Sequence, residues 1–66
     1  MQILVNGDEI ELQEGDTILD LLEHLSLQDA KLAIELNQSI VPRSLHKEQV
    51  LKHHDQVEIV HAIGGG

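Results

Sequence analysis

The chain has 66 residues, no cysteine, no Phe, Tyr or Trp, and twelve acidic residues against four basic ones, for a formal charge of -8. A chain this short folds as one small domain that buries only ~60% of its unfolded surface, which leaves little interior for a deep active site; without cysteine it has neither disulfides nor a thiolate to act as nucleophile or metal ligand. Its acidity repels phosphate backbones and it offers no aromatic ring for a base to stack on, so nucleic acid is excluded as a partner and a basic protein surface is the natural complement, although solubility alone accounts for the same excess of charge.

Met1-Gln2-Ile3-Leu4 carries neither a basic leader nor an apolar run long enough for a signal peptide or a membrane span, and the expectation is a cytoplasmic protein with no membrane partner. Met1, Ile3 and Val5 alternate with Gln2, Leu4 and Asn6, the two-residue period of a half-buried strand. Asn6-Gly7 predicts a tight hairpin, because a two-residue turn of this kind needs positive φ at both positions. Ile10 and Leu12, alternating with Glu9, Glu11 and Gln13, give the returning strand, which Glu14-Gly15-Asp16 ends.

Thr17 is a helix cap with Asp20 three positions on, a shorter version of the usual reciprocal box. Ile18, Leu21, Leu22 and Leu25 then form one apolar stripe on a helix of about two turns, and a stripe of that kind needs a sheet to cover. Leu32, Ile34 and Leu36 alternate with Ala33, Glu35 and Asn37 in a third strand. Asn37-Gln38-Ser39 reads as a turn, and Ile40-Val41 as a short strand closed by Pro42, which cannot donate to a ladder and suits a sheet edge. Arg43 to Lys52 has no clean period and reads as an irregular loop or helical turn, with Leu45, Val50 and Leu51 as its expected anchors. A last strand begins near Gln56 and runs through Val57, Glu58, Ile59 and Val60 toward the chain end. The sum is a two-layer α+β domain over residues 1–63, with one helix on one face of a mixed sheet of four to five strands.

Residues 64–66 are all glycine. Lacking Cβ atoms, they make a tail that threads passages any side chain would block. From Ile63 to Gly66 the extended reach is roughly 10–14 Å. The strand runs into this tail without a linker and so aims it.

With these pieces in place the chain resembles the bacterial thiamine-biosynthesis sulfur carrier family, whose fold is the β-grasp, or ubiquitin-like, fold. The resemblance covers essentially the whole chain. It is carried by Ile3-Leu4-Val5-Asn6-Gly7, Gly15-Asp16-Thr17-Ile18 with Leu21-Leu22, Leu36-Asn37 leading to Ile40-Val41-Pro42-Arg43, and above all Asp55 to Gly66. Two positions depart from it: Leu45 and His46 stand where the family often has an aromatic residue, and His53-His54 where it often has a glycine turn. The resemblance implies that Gly66 is the reacting residue, that Gly64 and Gly65 thread the tail into partners, and that the chain holds no cofactor of its own. A partner adenylyltransferase would consume ATP to adenylate the Gly66 carboxylate, a sulfur donor protein would convert it to a thiocarboxylate, and a thiazole synthase would take the sulfur. The small subunit of a molybdopterin synthase shares fold and tail, and a protein modifier joined to target lysines is a further alternative; fold does not separate them. A plain interaction module is the alternative of a different kind.

Strand parity adds a docking surface. If Ile3, Val5, Val57 and Ile59 face the helix, then Leu4, Val60 and Ala62 face the other way; the resembled fold sets first and last strands side by side, so with Ile63 these residues predict an apolar patch at the base of the tail. The five histidines, His24, His46, His53, His54 and His61, lie in separate segments; side chains as close as His53 and His54 diverge in either regular element, so no metal site is expected. His61, five residues from the end, reads as a surface or interface residue rather than a base. Arg43 reads as a cap on the turn after Pro42. The acids between Asp8 and Glu14 alternate with Ile10 and Leu12, as on a solvated strand face, and no catalytic set is expected.

Overall fold

The computed structural model describes residues 1–61. Strands β1 (Gln2–Val5) and β2 (Asp8–Glu11) pair antiparallel, with Ile3 opposite Ile10 and Val5 opposite Asp8. The turn between them has φ of 50° at Asn6 and 87° at Gly7, the doubly positive pair that matches the right-handed twist of the strands it joins. The second strand stops at Glu11, short of Leu12. Leu12 still reaches the interior, because its N–H donates to the Met1 carbonyl at 2.8 Å while the Met1 ammonium donates to the Leu12 carbonyl at 2.7 Å.

Helix α1 spans Ile18–His24, too short to be stable by itself, so packing of its stripe must hold it. The first-turn N–H groups, which have no partner inside a helix, are all satisfied from outside it. Ile18 donates to the Gln49 carbonyl and Leu19 to that of His46, each at 3.0 Å, and Asp20 donates to Thr17 Oγ1 at 3.2 Å. The Asp20 carboxylate accepts the Thr17 N–H at 2.8 Å, so the short aspartate closes the reciprocal box. Ile18, Leu21 and Leu22 bury their side chains against the sheet, and Leu25 is half-buried beside them.

Strands β3 (Leu32–Leu36), β4 (Ser39–Ile40) and β5 (Gln56–His61) complete a five-stranded sheet in the order β2-β1-β5-β3-β4. The C-terminal strand therefore lies in the middle, parallel to β1 and antiparallel to β3. The turn from β3 to β4 again has positive φ at both positions, here Asn37 and Gln38 without a glycine. Under the helix, Ile3, Ile34, Val57, Ile59 and Leu51 form the centre of the core. Among the described residues no buried side-chain polar atom lacks a partner, and no helix is long and apolar enough to cross a membrane.

The segment after Pro42 departs from expectation in its anchors rather than in its helical turn. It makes a single turn of 3-10 helix at Arg43–Leu45, and of the three expected anchors only Leu51 is buried; Leu45 and Val50 are each 45% exposed. His46 goes inside instead, its Nε2 3.1 Å from the Val41 carbonyl, which fixes the hydrogen on that nitrogen because a carbonyl oxygen only accepts. The segment's main task is to supply carbonyls to the start of the helix, and that backbone geometry, rather than side-chain apolarity, decides which residue turns inward.

Candidate functional site

The middle strand β5 carries the last described residues, up to His61. On the helix side of this strand Val57 and Ile59 are buried; on the other side Glu58 is exposed and Val60 is 55% exposed, as strand parity requires. Its flank toward β3 is paired over the full run from Val57 opposite Leu36 to His61 opposite Leu32. Its flank toward β1 is paired at Gln56 and Val57 only, opposite Leu4 and Val5. Beyond that point the Asn6 side chain takes the place of a strand neighbour: its Oδ1 accepts the Ile59 N–H at 2.7 Å and its Nδ2 donates to the Ile59 carbonyl at 3.0 Å. Ile59 is thus held on both sides, by a strand on one and a carboxamide on the other, while Val60 and His61 are paired on the β3 side.

The open face of the sheet assembles differently from the expected patch. Leu4 does face away from the helix and is half-buried, but it lies opposite Gln56. Val60 is four positions further along, about 13 Å at the rise of a strand, so the register does not bring the two together. The cross-strand neighbour of Val60 is Ala33, and the same face carries Ile40, 75% exposed, opposite Glu35. Glu35 itself lies directly opposite Glu58. The surface near the end of β5 is therefore apolar at Val60, Ala33 and Ile40 and doubly acidic in between. Like charges placed directly across a ladder destabilise it, and a cation brought by a partner would relieve that. The outward alternation of Ala33 and Glu35 was visible in the sequence, but their offset against β5 was not. Ala62, Ile63, Gly64, Gly65 and Gly66, the remaining expected site residues, lie outside the described residues.

The histidines do not converge. His53 and His54 fall in a turn, not a regular element, and their rings stack with centroids 3.8 Å apart. His53 Nδ1 accepts the Gln2 N–H at 2.9 Å, a fastening for the start of β1. His61 is exposed at the end of β5. Among the described residues no group of three or more His, Cys, Asp or Glu is placed to hold a metal ion. Arg43 sits in the first position of the 3-10 turn after Pro42, where its carbonyl accepts the His46 N–H.

A five-stranded mixed sheet under one helix, with the C-terminal strand clamped in its centre, defines a β-grasp protein of the ubiquitin-like kind. Within that class the chain belongs to the ThiS family, whose model matches residues 2–66. It is 36% identical over 66 residues to the sulfur carrier protein ThiS of Escherichia coli, with all of both chains covered. It is 39% identical over 66 residues to a thiazole synthase of Magnetococcus marinus, of which it spans only 20%. The crystal structure of the thiamine biosynthesis protein ThiS from Geobacter metallireducens superposes with a TM-score of 0.86 at 29% identity, covering both chains completely.

Proposed function

We propose that this chain, a sulfur carrier protein of thiamine biosynthesis, carries its sulfur on the C-terminal carboxylate of Gly66. A carboxylate is a poor electrophile, since its charge repels nucleophiles and oxide is a bad leaving group. An adenylyltransferase therefore transfers AMP from ATP to the Gly66 carboxylate, releasing pyrophosphate. A persulfide on a sulfur donor protein attacks the acyl carbon and AMP departs with the bonding pair. A thiol then reduces the S–S bond, leaving a thiocarboxylate on Gly66. The anionic thiocarboxylate is a soft nucleophile suited to a thiazole synthase. The chain acts as a co-substrate throughout, in a cytoplasmic setting where ATP is at hand, and its glycines admit the end group into sites that exclude water.

The observation that supports this reading is the anchoring of β5, the strand that precedes the glycines: it is paired with β3 through His61, and its Ile59 is also bonded by the Asn6 carboxamide. The likeness of this whole chain to a segment of a protein named thiazole synthase supports that enzyme as the acceptor. Membership of the ThiS family favours thiamine over the small subunit of a molybdopterin synthase, which the sequence left open. Val60, with Ala33 and Ile40 around the Glu35–Glu58 pair, serves as the surface both enzymes grip, and Leu4 lies outside it. The test is the intact mass after incubation with ATP, a sulfur donor and the activating enzyme. Exchange of one oxygen for one sulfur is the expected result; a covalent ladder on other proteins would mark a modifier, and an unchanged mass would overturn the carrier reading.

A further inference from the structure

A concave site lies between the helix and the segment after Pro42, and its Leu32 is the cross-strand neighbour of His61, the last described residue. It is a cavity of about 340 Å³ whose apolar wall is formed by Leu19, Leu22 and Leu32 and whose other side carries Arg43, Ser44 and Lys47. Three features set it apart. Arg43 and Lys47 are two of only four Lys and Arg residues in a chain with twelve acids, yet no acidic side chain lines the cavity. Among the described residues the one salt bridge joins the Met1 ammonium to Glu11, so neither cation has a carboxylate partner there. The wall that bears them is fastened rather than loose: the buried His46 gives its carbonyl to the Leu19 N–H, its ring to the Val41 carbonyl, and its own N–H to the Arg43 carbonyl.

We propose that this cavity binds a small oxyanion, a phosphate monoester or a carboxylate, attached to a compact apolar or aromatic body. The body would lie on the leucine wall, where burial of apolar surface drives it in, and the charged head would meet the guanidinium and ammonium groups, with the Ser44 hydroxyl as a further donor. The field of a chain with a net charge of -8 selects for size: it repels a polyanion or an acidic protein surface, while a single head group feels mainly the two nearby cations. This site is built from described residues only and does not rest on the carrier chemistry at Gly66.

Titration of the 66-residue chain with phenyl phosphate, with benzoate and with neutral phenol, followed by amide chemical shifts, tests it. Expected are saturable shifts at Leu19, Ala30, Ser44 and Lys47 with an apparent Kd on the order of millimolar for at least one of the two anions, and weaker binding of phenol. The tighter of the two anions identifies the head group. Arg43→Gln and Lys47→Gln should each weaken anion binding about two- to fivefold and leave phenol binding unchanged, as loss of one exposed charge pair predicts. Unshifted amides of Ile34 and Ile59 in both variants would certify the fold. Equal affinity for phenol and the anions, or shifts that do not saturate by about 20 mM, a concentration well above a millimolar Kd, would overturn the site.

Discussion

The two faces of the sheet divide the labour of the same five strands. On the covered face Ile3, Ile34 and Val57 are each 1% exposed and belong to one core cluster under the helix. On the open face the alternate residues of the same strands include Val60 at 55% exposure, Ile40 at 75%, and two glutamates directly opposite one another. One face is chosen for complementarity within the chain, and the other keeps apolar surface wet and like charges together, which folding alone does not reward. The difference shows that in a small domain strand parity alone can place a tight core and an exposed, partly apolar surface on the same five strands.

Substitutions sharpen this contrast in order of size. Ile34→Ala, at the centre of the covered face, should cost ~2–5 kcal/mol of stability by chemical denaturation, and a cost below 1 kcal/mol would mean the covered face is not the core it appears. In the plane between the faces, Asn6→Ala removes both bonds to Ile59 and should cost ~1–3 kcal/mol. Asn6→Gly, which tolerates the φ of 50° but also loses both bonds, should cost nearly as much; a negligible loss for glycine would show that backbone strain, and not the side-chain bonds, accounts for the alanine effect. On the open face Val60→Asp should leave the melting temperature within a few degrees of wild type, since surface changes lie within ~0.5 kcal/mol, while weakening the activating enzyme's affinity about tenfold. Undiminished affinity would remove Val60 from the docking surface. The smallest effect is expected from Glu58→Gln, which relieves the repulsion with Glu35 and should raise stability by ~0.2–1 kcal/mol while lowering the association rate with a basic partner. A stability gain with an unchanged association rate would leave the acidic pair without a role in encounter.

Much of this was legible because it is local. The Asn6-Gly7 turn, the Thr17–Asp20 cap and the alternation of Val57 and Ile59 each depend on residues within a few positions, and each appears where the residue types require. The family resemblance then supplied the topology, a sheet with first and last strands side by side. Three features were not legible, for one shared reason. Leu4 opposite Gln56, Asn6 bonded to Ile59 and Glu35 opposite Glu58 are all matters of offset between distant segments, and a two-residue period reports the face of a side chain but never its register. The inward turn of His46 escaped for a related reason: nothing in its own neighbourhood is periodic, and its place is set by the carbonyls that the start of α1 demands. The glycine tail was the clearest signal in the sequence, and its residues lie outside those the structure describes.

The central position of β5 has a mechanical consequence. An enzyme that draws the chain end into its own site pulls along the axis of this strand, whose ladder to β3 runs lengthwise to the direction of the load. Bonds loaded in shear share the force and fail together, whereas bonds at a peeled edge fail one after another. A small domain whose last described strand were pulled in this way would resist better than one pulled at a sheet edge.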